Sequence, residues 1–196
     1  MEPKTVIFLG IQGSGKGTQV DLLEKYLAGA SATPVFHFAT GSAFRRLIEG
    51  EGYTQDLVRE TLNHGTLQPL FLSVWLWADA FVRTLKGTEH LLIDGFPRTT
   101  PQAQVLDSAL VFYKRKQPTV IALALSEEEA MKRLMGRART DDTSAAIGKR
   151  LAWYREYGLP VVEYYRSRKE YTVIDVNAEQ PIEKVHEDIV QVLGLS

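Results

Sequence analysis

The chain has 196 residues, 44% apolar and 24% charged, enough for one globular domain with a substantial core. Its 23 Lys and Arg nearly cancel its 24 Asp and Glu, so bulk charge gives no general attraction to nucleic acid or to an anionic membrane. The absence of cysteine excludes disulfides, thiolate nucleophiles and Cys-ligated zinc.

Residues Thr5–Gly10 (TVIFLG) form an apolar run closed by glycine, the pattern of a strand buried on both faces. The run 6–9 is far too short for a signal-peptide core or a membrane span, so a cytoplasmic location is expected. Segment 16–27 reads as a helix with Val20, Leu22, Leu23, Tyr26 and Leu27 on its apolar side. A short strand is predicted at 35–38, followed by helices at about 42–49, 54–63 and 69–86, punctuated by Gly50, Gly52 and Gly65. Strands follow at His90–Asp94 and 119–125, then helices at 127–137 and about 144–168, a strand at 171–176, and a helix at 181–193 opened by proline. Trp75 and Trp77 fall in the apolar helix 69–86 and are expected to pack in its core. Asp141 and Asp142 are expected to position arginines and to cap the helix that begins near Thr143.

The alternation predicts an α/β fold, a five-stranded parallel sheet flanked by helices, with ligands bound outside the carboxyl ends of the strands. The helical stretch 41–86 is longer than one crossover needs and reads as an inserted subdomain. His37, His64, His90 and His186 show no metal-type spacing and are expected to be surface or satisfied buried histidines.

Three strands end in suggestive turns, at Gly10–Thr18, Asp94–Thr99 and 175–180, and the chemistry is carried by the first two together with an arginine cluster. Gly10-Ile-Gln-Gly-Ser-Gly-Lys-Gly-Thr18 follows a buried strand and opens a helix, the context of a phosphate-binding loop. Its glycines let backbone N–H groups converge on an anion, the helix start adds its dipole, and Lys16 adds a point charge for β- and γ-phosphates. Gly17 stands where a hydroxyl that ligates Mg²⁺ usually follows the lysine, and Thr18 is displaced by one position. Asp94-Gly-Phe-Pro-Arg-Thr99 ends another strand; Asp94 is placed to hold Mg²⁺ through water, and Arg98 to grip a phosphate. Arg133, Arg137, Arg139 and Arg150 surround one short loop, a concentration of charge suited to neutralising two nucleotides.

These motifs, in order, resemble the nucleoside monophosphate kinases and most closely the adenylate kinase family. Beyond the two turns, the resemblance runs through Thr40-Gly41-Ser42-Ala43-Phe44-Arg45, Gly65-Thr66-Leu67-Gln68-Pro69, Gln102, Arg133 to Arg150 and 174–181, nearly the whole chain. It implies a single P-loop NTPase-type domain over 1–196, with a monophosphate-binding subdomain at 40–70 and a short lid at 137–143. It implies reversible transfer of the ATP γ-phosphoryl to AMP, giving two ADP, with Mg²⁺ as cofactor and no zinc. Gly13, Ser14, Gly15, Lys16, Gly17, Thr18, Arg133, Arg137 and Gln180 would meet ATP. Thr40, Arg45, Thr66, Leu67, Gln68, Gly95, Phe96, Pro97, Arg98, Gln102, Arg139 and Arg150 would form the AMP side. Lys16, Arg98, Arg137, Arg139 and Arg150 would be catalytic. Thr40 and Gln102 favour AMP over CMP or UMP, for which pyrimidine relatives tend to carry Ala and Asn. A monomer is expected, with no nucleic-acid or membrane partner.

The chain departs from the family pattern at Gln12 for proline, at Ser42 and Leu70 for aspartates, and in the lid, where only Ala138 separates Arg137 from Arg139. Ser42 is expected to serve as a helix cap in place of the aspartate. These departures keep two alternatives in view: a CMP/UMP or other monophosphate kinase, and a non-catalytic nucleotide-binding regulatory paralogue.

Overall fold

A computed structural model describes residues 2–136 and 143–195. Strands β1 (Thr5–Gly10), β2 (Val35–Ala39), β3 (His90–Asp94), β4 (Thr119–Ala124) and β5 (Thr172–Asn177) form one sheet in the order β2-β3-β1-β4-β5. Every pairing is parallel. The central strand shows why its sequence is a continuous apolar run. Successive side chains point to opposite faces, and each face is covered. Val6 and Phe8 pack against helices α1 (Lys16–Ala30) and α9 (Ile182–Val192), through Val20, Leu23, Leu27 and Ile189. Ile7 and Leu9 face α4 (Leu70–Thr84), α5 (Thr100–Phe112) and α8 (Leu159–Arg166), through Phe81, Leu106, Leu110 and Tyr165.

Helices α2 (Thr40–Leu47) and α3 (Tyr53–Asn63) occupy the stretch between β2 and α4. Phe44, Val58 and Leu72 give this region a small core of its own. Arg59 ties it together by donating to the carbonyls of Ile48 (2.7 Å) and Gly50 (2.5 Å). Helices α6 (Glu127–Gly136) and α7 (Ser144–Trp153) flank the residues that lie outside the described structure. No helix among the described residues is long and apolar enough to cross a membrane.

The structure corrects several expectations. Helix α5 was not predicted. Its start is nevertheless encoded: Thr99 accepts a capping hydrogen bond from Gln102 N–H, and Pro101 occupies the first turn, where no internal donor is needed. The predicted continuous helix 144–168 is interrupted by a π-helical turn at Tyr154–Gly158. Pro160 has no N–H to return to the preceding turn. Gly158 leaves space for the Tyr154 ring, which a Cβ would meet at 2.3 Å. Ser42 is not a cap, because α2 begins at Thr40; its hydroxyl accepts from Arg45 at 3.2 Å instead. Of the two tryptophans only Trp77 is core, 2% exposed and stacked on Phe96 at 5.3 Å, whereas Trp75 is 50% exposed. Thr143 itself caps α7, accepting from Ala146 N–H at 3.2 Å, while Asp141 and Asp142 lie outside the described residues. Asp21, Glu24 and His37 bring three potential ligand atoms within 4.8 Å, a grouping that spacing in the sequence did not suggest.

A buried ion pair secures the edge of the sheet where strands begin. The side chains of Glu89 and Arg115 are 6% and 5% exposed. The Glu89 carboxylate accepts from the N–H groups of Lys86, Gly87 and Thr88 and from Arg115 Nη2. Arg115 Nη1 also donates to the Glu89 carbonyl at 2.6 Å. Burial alone would raise the Glu89 pKa, but the backbone donors and the Arg115 charge outweigh it and hold it below the usual value. A lowered folded pKa supplies stability that is present above the unfolded value and lost as pH falls through the folded one. Glu89→Gln is therefore expected to cost about 3 kcal/mol in urea unfolding at neutral pH. The deficit should shrink as pH drops below the unfolded glutamate value of about 4.3. A deficit that is the same in acid and at neutrality would remove Glu89 from this role.

Candidate active site

Parallel pairing brings the chemistry-bearing turns to one edge. Asp94, the last residue of β3, is level with Phe8 of β1 and Ala39 of β2, so the glycine loop, the Asp94 turn and the start of α2 are neighbours. The loop rises from β1 through Gly10 and Gly13, whose φ angles of 147° and 91° suit glycine. A Cβ at Gly10 would also meet Leu123 O at 2.8 Å. Ser14 N–H closes the turn onto Ile11 O at 3.1 Å. Lys16 Nζ crosses the loop, donating to Gly10 O (2.6 Å), Ile11 O (3.0 Å) and, more weakly, Ser14 Oγ (3.4 Å). Helix α1 starts here with no side-chain cap and no acidic residue in its first turn. Its leading N–H groups and dipole are thus directed at whatever occupies the loop.

Gly17 lies beside the Asp94 carboxylate: a Cβ at that position would sit 3.7 Å from Asp94 Oδ2, an ordinary contact. Thr18 is exposed on α1. Asp94 is half-buried, and its carbonyl accepts from Thr40 Oγ1 at 3.3 Å. A half-buried carboxylate beside the first turn of α1 fits a hydrated Mg²⁺, which keeps most of its own waters.

The Asp94 turn then fixes Arg98. Its N–H donates to Gln102 Oε1 at 2.8 Å, and its Nε donates to Gly95 O at 2.7 Å. Phe96–Pro97 is a cis peptide within this turn. Burial lowers the Arg98 pKa; Asp94 opposes that shift and the Arg150 charge adds to it. Arg150, on α7 and only 9% exposed, lines the same cleft as Gly10, Gln12, Lys16, Gly95 and Arg98. Several cations therefore converge on one partly dry space, with the Asp94 carboxylate close enough to act on Arg98. An anion there would gain charge-assisted hydrogen bonds and relieve their repulsion.

The remaining candidates divide into two sides. Thr40 is 4% exposed, Gln102 3% and Gln68 8%, all on the β2–β3 side. Arg45 lies over Gly41, and Thr66 Oγ1 donates to Thr61 O at 3.1 Å. Gln68 Nε2 donates to Thr61 Oγ1 at 2.6 Å, while its Oε1 is buried with no protein partner. Leu67 is half-buried in the same loop. Gly65 brings this loop to α7, where its Cβ would meet Ala146 Cβ at 3.2 Å. On the other side a largely apolar pocket at the ends of β4 and β5 is lined by Ile11, Leu125, Ser126, Tyr154, Asn177 and Glu179. Arg133 is held by Glu129 at 2.9 Å, and the Gln180 side chain is tied to Asp188 at 2.8 Å, which leaves its backbone as the part able to meet a ligand. Arg137 and Arg139 lie outside the described residues. Trp153 and Tyr154, which the sequence did not single out, wall the cleft near Arg150.

The adenylate kinase family model matches residues 8–170. The chain belongs to the adenylate kinase family. An adenylate kinase of Corynebacterium aurimucosum is 33% identical over 189 residues, covering 96% of this chain and 98% of that protein. Those of Azobacteroides pseudotrichonymphae and Mycolicibacterium smegmatis are each 34% identical, over 187 and 190 residues, and cover 93% and 96% of this chain and 93% and 98% of their own. Membership makes the chain a nucleoside monophosphate kinase. Arg98→Ala is expected to lower phosphoryl transfer at least ~100-fold. Its melting temperature should stay within a few degrees, since removal also ends a repulsion with Arg150. Full activity in this variant would displace the site from the cleft.

Proposed function

We propose that the enzyme transfers the γ-phosphoryl of ATP to AMP, reversibly, giving two ADP. The observation that carries this reading is the convergence of Lys16, Arg98 and Arg150 on one cleft, with the Asp94 carboxylate acting on Arg98. The glycine loop, Gly13 to Thr18, holds the donor phosphates, and the pocket near Glu179 with the Gln180 backbone takes the donor base. Arg133 and Arg137 add charge on that side. Thr40, Arg45, Thr66, Leu67, Gln68 and Gln102, with the turn Gly95–Arg98, hold AMP.

Phosphoryl transfer passes through a loose transition state with charge spread over the moving group. The protein therefore needs alignment and fixed positive charge rather than a general base. Lys16, Arg98 and Arg150 supply that charge, with Arg137 and Arg139 from the lid at 137–143. Asp94 would hold Mg²⁺ through water, and the ion supplies further neutralisation of the phosphates when bound. Closure of the 40–70 region and the lid would exclude water, without which ATP is hydrolysed. Each chain carries a complete set of these residues, so we propose that it acts as a monomer.

Thr40 and Gln102 support AMP over pyrimidine monophosphates. ADP formation from ATP with AMP should exceed that from ATP alone by orders of magnitude, and AMP should outrun CMP, UMP, dTMP and GMP in initial rate. ADP formed equally without AMP would demote the enzyme to an ATPase. Preference for CMP or UMP would overturn the assignment of Thr40 and Gln102.

A further inference from the structure

In a parallel sheet the strands begin along one edge, opposite the cleft at their carboxyl ends. The helices run back towards that edge, so α4 ends there just before β3 and α5 just before β4. Three apolar side chains are left open at these helix ends: Val82 at 77% exposure, Val111 at 78% and Phe112 at 77%. The Phe112 ring lies 5.1 Å from that of Tyr113, which in turn lies 6.2 Å from Phe81, next to Val82.

Exposed cations flank the three: Arg83 in the last turn of α4, Lys86 after it, and Lys114 and Lys116 after α5. Arg83 is shared with Asp79 at 2.8 Å. Neither segment 82–88 nor segment 111–117 contains an acidic residue. Glu89, next in sequence, is buried and turned inward on Arg115 and the backbone, and it stitches the two cation-bearing loops together. Lys114 and Gln117 keep φ angles of 55° and 43°, a backbone that non-glycine residues seldom adopt, so the second loop is held in a defined shape. The near-neutral bulk charge conceals this local imbalance.

We infer that this edge docks on an anionic lipid bilayer, with Val82, Val111 and Phe112 entering the interfacial zone and Arg83, Lys86, Lys114 and Lys116 meeting the headgroups. A small apolar wedge or a few cations alone hold a membrane weakly, and a reversible anchor combines the two. Charge complementarity selects lipid over a second copy of the chain. A two-fold contact would set these cations against their own images. Three side chains also fall well short of the roughly 800 Å² per partner that a stable dimer buries. On the membrane the cleft faces away from the lipid, so the docking is independent of the reaction proposed above.

Co-sedimentation of the full chain with vesicles tests the inference. The vesicles are phosphatidylcholine alone, or phosphatidylcholine with about 30% phosphatidylserine, in roughly 0.05 M and 0.5 M salt. Binding is expected on the phosphatidylserine vesicles at low salt and at least ~10-fold weaker in the other conditions. Phe112→Ser should weaken it roughly 10-fold, and the double variant Lys86→Glu/Lys116→Glu at least ~100-fold. Lys25→Glu, exposed on α1 in the opposite layer, should change it less than about threefold. All variants should keep wild-type activity with ATP and AMP, which certifies their fold. Absence of binding, equal binding to both vesicle types, or indifference to the wedge and cation variants overturns the inference. A chain that ignores vesicles yet forms a dimer that Phe112→Ser dissociates would assign the face to a second copy.

Discussion

Arg98 and Arg150 face one cleft, where burial and then the Arg150 charge lower the Arg98 pKa against the pull of Asp94. Lys16 is close by, its ammonium folded onto loop carbonyls. Left to themselves these groups would separate. The scaffold prevents it: Lys16 begins a helix anchored on Val20, Leu23 and Leu27, Arg98 is tied by its Nε and its backbone N–H, and Arg150 sits on a helix packed through Ile147 and Leu151. The apolar core can thus be seen as the restraint that keeps a charge cluster assembled. The cleft is preorganised in the sense that matters for catalysis, because its charges need little rearrangement when phosphate arrives.

The same parallel sheet divides labour between its two edges. At the carboxyl edge, Lys16, Arg98 and Arg150 are crowded together near the half-buried Asp94. At the amino edge, Glu89 and Arg115 neutralise one another and satisfy three loop N–H groups. Between β5, α5 and α8, Asp107 accepts from Tyr164 and Tyr171, each at 2.6 Å, another arrangement in which buried polar groups satisfy each other. The polar interactions that stabilise the fold therefore lie apart from those that would be spent on ligand.

Much of this was legible in the sequence, for a specific reason. β1, β3 and β4 are buried on both faces, and a doubly buried strand leaves a continuous apolar run. The phosphate loop was legible because backbone geometry demands glycine at fixed points. Gly17, standing where a hydroxyl usually follows the lysine, turned the expectation of metal holding towards Asp94, and the two lie side by side, a Cβ at Gly17 falling 3.7 Å from Asp94 Oδ2. Helix α5 was hidden by its own start, since Pro101 and Thr99 read as turn residues and Val105, Val111 and Phe112 are apolar yet exposed. Trp75 and Trp77 are two apart on a helix, so they cannot share a face, and only packing reveals which is inside. Trp153 and Tyr154 reach the cleft through tertiary folding alone, and no local pattern marks them.

The π-helical turn at Tyr154–Gly158 separates two demands made on one helical rod. Upstream, Arg150 must line the cleft; downstream, Val161, Val162 and Tyr165 must lie against the sheet. An uninterrupted α-helix advances ~100° per residue, so the direction of one end dictates the direction of the other. One extra residue in the turn resets that phase. The bulge works like an offset keyway on a shaft, letting the guanidinium and the apolar face be aimed separately. Lengthening or shortening the chain by one residue anywhere between Arg150 and Val161 would turn the arginine out of the cleft, even with every side chain in the cleft unchanged.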